Sequence, residues 1–264
     1  MDLLPLLEAD ELPVFFARPA ERPTPLVLLC DHAGRDVPRA LGDMGVPRAD
    51  WDRHIAWDIG ALAVAQHLAK RFGCALIESR YSRLVLDCNR RTDDPGLCPA
   101  VADGTPVPAN QELTPAARAL RVAELHAPYH DAIRSVLANM RASGHVPVVV
   151  SMHSCTPVFK GFARPWHIGV LWRSDPRLPV PLMAALRARG DIEIGDNQPY
   201  DARDGHGFTM REHCEETGYP HALIEIRQDL IDTHAGAARW AAIFGDALEP
   251  LLARKELRRV EVYA

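Results

Sequence analysis

The chain predicts an α/β fold in three layers, a mostly parallel mixed sheet flanked by helices. Short apolar runs that end in polar residues alternate with stretches of helical periodicity, the pattern of strands joined by crossover helices and covered on both faces. The 264 residues, 47% hydrophobic and 25% charged, suffice for one large core. No linker, repeat or low-complexity tract interrupts them, so one domain spanning 1–264 is expected.

The stretch "PLVLLCDHAG" predicts a strand over Leu26 to Cys30 that turns at Asp31 and Gly34. From Arg53 the apolar positions Ile55, Ile59, Leu62, Ala65, Ala69 and Phe72 recur at helical spacing, and Gly73 is placed to end that helix. "CALIES" is the next strand, and "SRLVLDCNR" reads as a short one. The Pro-, Gly- and Asp-rich run from Arg91 to Glu112 reads as a long surface loop. Thr114 and Pro115 are an N-cap and first helical residue, opening a helix toward Gly144 with a kink near Pro128. Strands follow at Val148 to Val150, in "WHIGVLW" and in "HALIEI". "PLMAALRARG" and Ala235 to Leu252 are the remaining helices.

Several function classes drop out on composition. A formal charge of −5, with no basic cluster, offers no general attraction to nucleic acid. No run of about 18 apolar residues suggests a membrane span, and the first residues lack a signal-peptide pattern, so a cytoplasmic protein is expected. The 6 Cys form no CxxC pair and suit free thiols in a reducing compartment. The 12 His are more informative, because neutral imidazole is both a metal ligand and an acid/base group near pH 7.

In open α/β sheets, ligands bind outside the carboxyl ends of the strands. Three predicted strands end in chemistry there: Asp31-His32, His153 in "VVVSMHSCTP", and Glu225. Asp58 adds a carboxylate in the first turns of the helix after the first strand. Two histidines and a carboxylate with an open position are the ligand set of catalytic zinc, and a further Glu supplies the general base. His32, Asp58 and His153 are therefore the candidate ligands and Glu225 the candidate base. His54, one helical turn before Asp58, is an alternative ligand. Each residue also has a structural reading: Asp58 as a charge at a helix N-terminus, Glu225 as a partner of Arg227.

"DHAG" (31–34), "HIAWDIGA" (54–61), "SRLVLDCNR" (82–90), "SMHS" (151–154), "NQPY" (197–200) and "PHALIEIRQDLI" (220–231), in this order, resemble the N-formylglutamate amidohydrolase family. The resemblance spans roughly residues 25–253. It implies a phosphorylase/hydrolase-like fold of the zinc carboxypeptidase and zinc amidase kind. By analogy it places the metal on His32, Asp58 and His153 and the base on Glu225. Zinc is the implied ion, although a neighbouring divalent transition metal suits the same donors.

The implied substrate is a small N-acyl amino acid such as N-formyl-L-glutamate, whose carboxylates call for planar guanidinium partners. Arg83, Asn89 and Arg90 in the family-like motif are the candidates, with Tyr200 and His213 as further substrate contacts from a polar, Gly-rich wall. Two other readings stand beside this one. Cys155 could be a nucleophile sharing a strand face with His153, or the chain could bind a metal or ligand without turnover. The sequence leaves the oligomeric state open.

Overall fold

The computed structural model describes residues 4–263. Seven strands form one mixed sheet: β1 (Phe15–Arg18), β2 (Leu26–Cys30), β3 (Ala75–Ser79), β4 (Val148–Cys155), β5 (Ile168–Leu171), β6 (Ile194–Asp196) and β7 (His221–Arg227). Their order is β1-β3-β2-β4-β7-β5-β6. The centre, β3-β2-β4-β7, is parallel, while β1 runs antiparallel to β3 and β5 antiparallel to β7. β2, β3 and β4 are buried along their whole length, as expected for strands covered on both faces.

Side chains of a strand alternate between faces, and here each face has its own core. On one side Leu26, Leu28, Val148, Val150, Met152, Ile224 and Ile226 meet three helices, α1 (Ala61–Phe72), α3 (Pro179–Arg187) and α4 (His234–Leu248). On the other, Val27, Leu29, Ile77, Val149 and Leu223 pack against Leu125, Tyr129, Ile133 and Leu137, most of them from α2 (Ala127–Ala142). The second face matters most for function, because its alternation continues into polar residues. Val149 is followed on that face by Ser151, His153 and Cys155, and Leu223 by Glu225.

The helix signals in the sequence hold at several ends. Thr114 Oγ1 accepts a hydrogen bond from the Ala117 amide at 3.2 Å, and Gly73 closes α1 with φ 57°, a left-handed conformation that glycine adopts without strain. The expected kink near Pro128 takes another form: a π-turn over Val122–His126 joins the helix Pro115–Arg121 to α2. The wider turn leaves room for a proline that cannot donate to the helical ladder.

Four expectations are corrected. The helix predicted from Arg53 begins only at Ala61, after turns and a left-handed Gly60 with φ 79°, so Asp58 precedes the helix. A Cβ on Gly60 would meet the Ile231 carbonyl oxygen at 2.2 Å. "SRLVLDCNR" is a series of turns. Ser82 Oγ accepts from the Leu84 amide, and the Val85 and Leu86 amides both return to the Ser82 carbonyl, which excludes ladder pairing. The stretch from Arg91 to Glu112 carries a two-stranded hairpin, Val101–Ala102 with Thr105–Pro106, and a helical turn, Pro108–Gln111. It is tied down by the burial of Leu97, Cys98 and Val107. Finally, β4 continues to Cys155, because β7 pairs with it as far as Arg227.

Gly34 of the "DHAG" motif lies so close to the next segment that an added Cβ would sit 1.9 Å from the Arg80 carbonyl oxygen. Gly34→Ala is expected to lower unfolding stability by at least about 1 kcal/mol, read as a shifted urea midpoint at unchanged slope; an unshifted midpoint would show that the two segments part freely.

Candidate functional site

The polar residues at the carboxyl ends of β2, β4 and β7 converge on one pocket. His32 follows β2, His153 lies in β4, and Glu225 is the direct register partner of His153 on β7. Asp58 comes from the turn before α1, held by a hydrogen bond from its own amide to the His32 carbonyl at 3.0 Å. The pocket is lined by these four with Arg83, Asp87, Asn89, Arg90, Tyr200 and Cys155, among others.

Asp58 Oδ2 lies 3.2 Å from His32 Nδ1 and 2.8 Å from His153 Nδ1. One ligand atom from each of the three residues can be chosen so that all lie within 4.8 Å of one another, a geometry that could hold a metal ion. His54 stays outside this group; its Nε2 is 3.5 Å from Asp103.

Each histidine also keeps a carboxylate on its other nitrogen. His32 Nε2 is 2.6 Å from Asp87 Oδ1, and His153 Nε2 is 3.0 Å from Asp31 Oδ2. Such partners fix ring orientation and raise ligand basicity in metal sites. Asp31 in turn accepts from Tyr129 Oη at 2.8 Å and from Thr209 Oγ1 and Ser151 Oγ, each at 3.0 Å. Arg83 spans the other two carboxylates, donating to Asp58 at 3.3 Å and Asp87 at 2.8 Å.

Electrostatics points the same way. Burial disfavours charge on all these groups, yet the His153 and His32 contacts hold Asp31 and Asp58 below the usual carboxylate range. Asp87 is likewise lowered against burial, by Arg83 and His32. The imidazoles respond in kind: against burial, Asp87 and Asp58 raise His32, and Asp31 and Asp58 raise His153 well above the ordinary value. The carboxylates around the two rings therefore favour positive charge on them, and a metal ion bound there would take the place of the ring protons.

Glu225 differs. Burial pushes its carboxyl up to about 7, and its Oε2 is buried with no hydrogen-bond partner. An orphaned buried oxygen beside the histidines is a group with spare capacity for a ligand or water.

Residues 24–232 match the N-formylglutamate amidohydrolase family. The chain belongs to this family. It is 27% identical over 255 residues to N-formylglutamate deformylase of Pseudomonas aeruginosa, a match that covers 87% of this chain and 93% of the relative. A gene product of Agrobacterium tumefaciens shares its fold with a TM-score of 0.91 at 33% identity, covering 94% of this chain and 98% of the other. The fold is also that of N-formylglutamate amidohydrolase from Ralstonia eutropha, with a TM-score of 0.65 at 21% identity, over 91% and 97% of the two chains.

In this family member the other candidates fall in different places. Arg83, Asn89, Arg90 and Tyr200 line the pocket. The Tyr200 hydroxyl accepts from Arg164 Nη2 at 3.0 Å, and its ring packs on His206 at 5.3 Å between centroids. His213 is corrected: it is 2% exposed, outside the pocket lining, with Nε2 2.8 Å from His130 Nδ1. A π-turn over Arg211–Glu215 carries it into the protein interior. Cys155 does line the pocket, but burial and the neighbouring Glu225 push its thiol up, away from the thiolate that a nucleophile needs.

Sequence reasoning left out the carboxylates behind the rings. In the sequence Asp31 stands out only as the neighbour of His32, and Asp87 only as a carboxylate within "SRLVLDCNR". Both carboxylates lie in the quoted motifs, Asp31 in "DHAG" and Asp87 in "SRLVLDCNR", but their partners are set by the fold: Asp31 serves His153 rather than its neighbour His32, which Asp87 serves.

Burial pushes His130 down to about 3 and His213 down to about 4. A histidine lowered by folding binds its proton in the unfolded chain first, so its contribution to stability is complete above pH 6.5 and is lost as pH falls toward the folded value. Each of these two is expected to cost roughly 2 kcal/mol by pH 5. Urea melts from pH 8 to 5 should show a smaller acid loss in His213→Gln than in wild type; equal losses would place the acid sensitivity elsewhere.

Proposed function

We propose that this chain is a metal-dependent amidohydrolase that cleaves the amide of an N-acyl amino acid, with N-formyl-L-glutamate as the substrate that family and relatives favour. The observation that carries the reading is Glu225, in register with His153 and with one buried oxygen unpartnered, beside a His-Asp-His group able to hold a cation. Zinc suits two imidazoles and one carboxylate. The six cysteines are all free and buried, which suits a reducing, cytoplasmic setting.

His32, Asp58 and His153 would hold the ion, with Asp87 and Asp31 fixing the two rings. When bound, such an ion supplies Lewis acidity toward the acyl carbonyl and toward a water. Glu225 takes a proton from the attacking water and returns it to the departing nitrogen, so that an acid and a free amino acid leave. A carboxyl whose affinity for a proton is already raised by burial is suited to both halves of that transfer. Asn89 and Arg90 present hydrogen-bond donors to the substrate carboxylates from the pocket wall. Arg83, committed to Asp58 and Asp87, offsets negative charge on the floor of the site.

Elemental analysis together with an amine-release assay on N-formyl and N-acetyl amino acids tests the reading directly. About one zinc per chain and turnover abolished by chelation are expected; turnover that survives full metal removal would sink it. Glu225→Gln should keep its metal and lose roughly 10²–10⁴-fold in kcat. Full metal content with wild-type turnover in that variant would remove Glu225 from the chemistry. Asp87→Asn is expected to weaken zinc roughly 10–100-fold, measured by competition with a chromogenic chelator, while a chain in which Asp87 merely paired with arginine would show no change.

A further inference from the structure

Behind the pocket wall, three histidines stack without taking part in the cluster above. His126 and His130 have ring centroids 4.2 Å apart, and His130 and His213 5.1 Å with an interplanar angle of 17°. Each is at most 5% exposed. Two of the three come from π-turns, His126 at the end of Val122–His126 and His213 within Arg211–Glu215. π-turns are rare and collect at functional sites.

The array acts on one short segment. His130 Nε2 lies 2.9 Å from the Cys88 carbonyl oxygen, and His126 Nε2 lies 3.0 Å from the Arg90 carbonyl oxygen. A carbonyl can only accept, so both Nε2 atoms carry hydrogen. His130 Nδ1 is then bare and accepts from His213 Nε2–H at 2.8 Å. Between the two carbonyls, the Asn89 side-chain oxygen accepts from the Thr209 amide at 3.0 Å. Thr209 follows Phe208, whose ring packs on both His126 and His130. Three consecutive residues, 88 to 90, are thus gripped from behind, while Asp87 takes the Asn89 and Arg90 amides from the other side.

This grip answers a need created by the fold. Residues 82–90 belong to no strand, so carbonyls that the turn bonds leave free, those of Cys88 and Arg90 among them, need side-chain donors. Neutral imidazole meets that need without placing a buried charge beside the pocket. The segment so fixed carries Asn89 and Arg90, both in the pocket lining.

We propose that His126, His130 and His213 form a positioning array that fixes the Cys88–Arg90 backbone and thereby sets Asn89 and Arg90 for substrate binding. The inference rests on the reading of this pocket as the substrate site. It assigns the three histidines to substrate affinity, leaving the hydrolytic step to Glu225 and the His-Asp-His group.

The test compares zinc-loaded wild type with His130→Phe, which keeps a ring but loses both bonds, and His130→Gln, whose amide can still donate to the Cys88 carbonyl. His126→Phe, which gives up only the bond to Arg90, is made in parallel in case His130→Phe fails to fold. KM and kcat are measured on N-formyl-L-glutamate, and amide hydrogen exchange is followed across residues 84–94. The loss of one or two such bonds should raise KM about three- to tenfold, with kcat within about twofold and zinc content unchanged. Exchange should quicken at 88–91 and not in β4. His130→Gln should restore both readouts. A kcat loss at constant KM, a Phe variant with unaltered exchange, or a Gln variant no better than Phe would each overturn the proposal. If wild type turned over no N-acyl amino acid, the hydrolase reading would fall, and the exchange comparison alone would still decide whether the array fixes the segment.

Discussion

Two carboxylates and two imidazoles, Asp58, Asp87, His32 and His153, line one pocket with Asp31 behind His153, and each of the five is at most 4% exposed. Desolvating that many ionisable groups is costly unless every one is paired. The structure meets the condition with a closed chain of contacts, Asp87 to His32 to Asp58 to His153 to Asp31, flanked by Arg83 at one end and by Tyr129, Ser151 and Thr209 at the other. Much of the surrounding architecture serves this chain. The parallel register of β2, β4 and β7 sets its spacing, and the turn before α1 returns Asp58 across it.

The same constraint separates the roles of residues that look alike in sequence. Asp58 and Glu225 are both buried acids near His153, yet their carboxyls move in opposite directions. Asp58 touches both rings and stays ionised; Glu225 has a free oxygen and little compensation, so burial wins. Two carboxylates pushed apart in this way suit different tasks, one that of holding a cation and the other that of moving a proton. Cys155 is near enough to Glu225 to feel that charge, and its thiol is held in the unreactive form.

Function also reaches beyond the strand tips. The segment 82–90 has no ladder partners, so side chains supply the donors that its turn bonds do not, and the pocket wall depends on the π-turn that ends in His126, on α2 with His130 and on the π-turn that carries His213. Arg164 links a further wall in the same manner, bonding Thr156 and Tyr200 and stacking on the Tyr200 ring. The sheet provides a rigid floor, and irregular segments braced by buried polar groups provide the sides.

The sequence by itself determined the α/β class, most strand positions, the helix ends at Gly73 and Thr114, and the short list that contained His32, Asp58, His153 and Glu225. These rest on local chemistry: alternation of apolar residues, capping side chains, and polar groups at strand ends leave their mark within a few positions. Only the tertiary structure decided the rest. That "SRLVLDCNR" would turn rather than pair depended on which neighbours the sheet offered. Asp31 bracing His153 while Asp87 braces His32, and His213 facing His130 instead of the pocket, depend on contacts between residues dozens of positions apart. Hydrophobic period and capping are encoded locally, whereas the pairing of buried charges is a property of the packed interior, where desolvation makes every partner count.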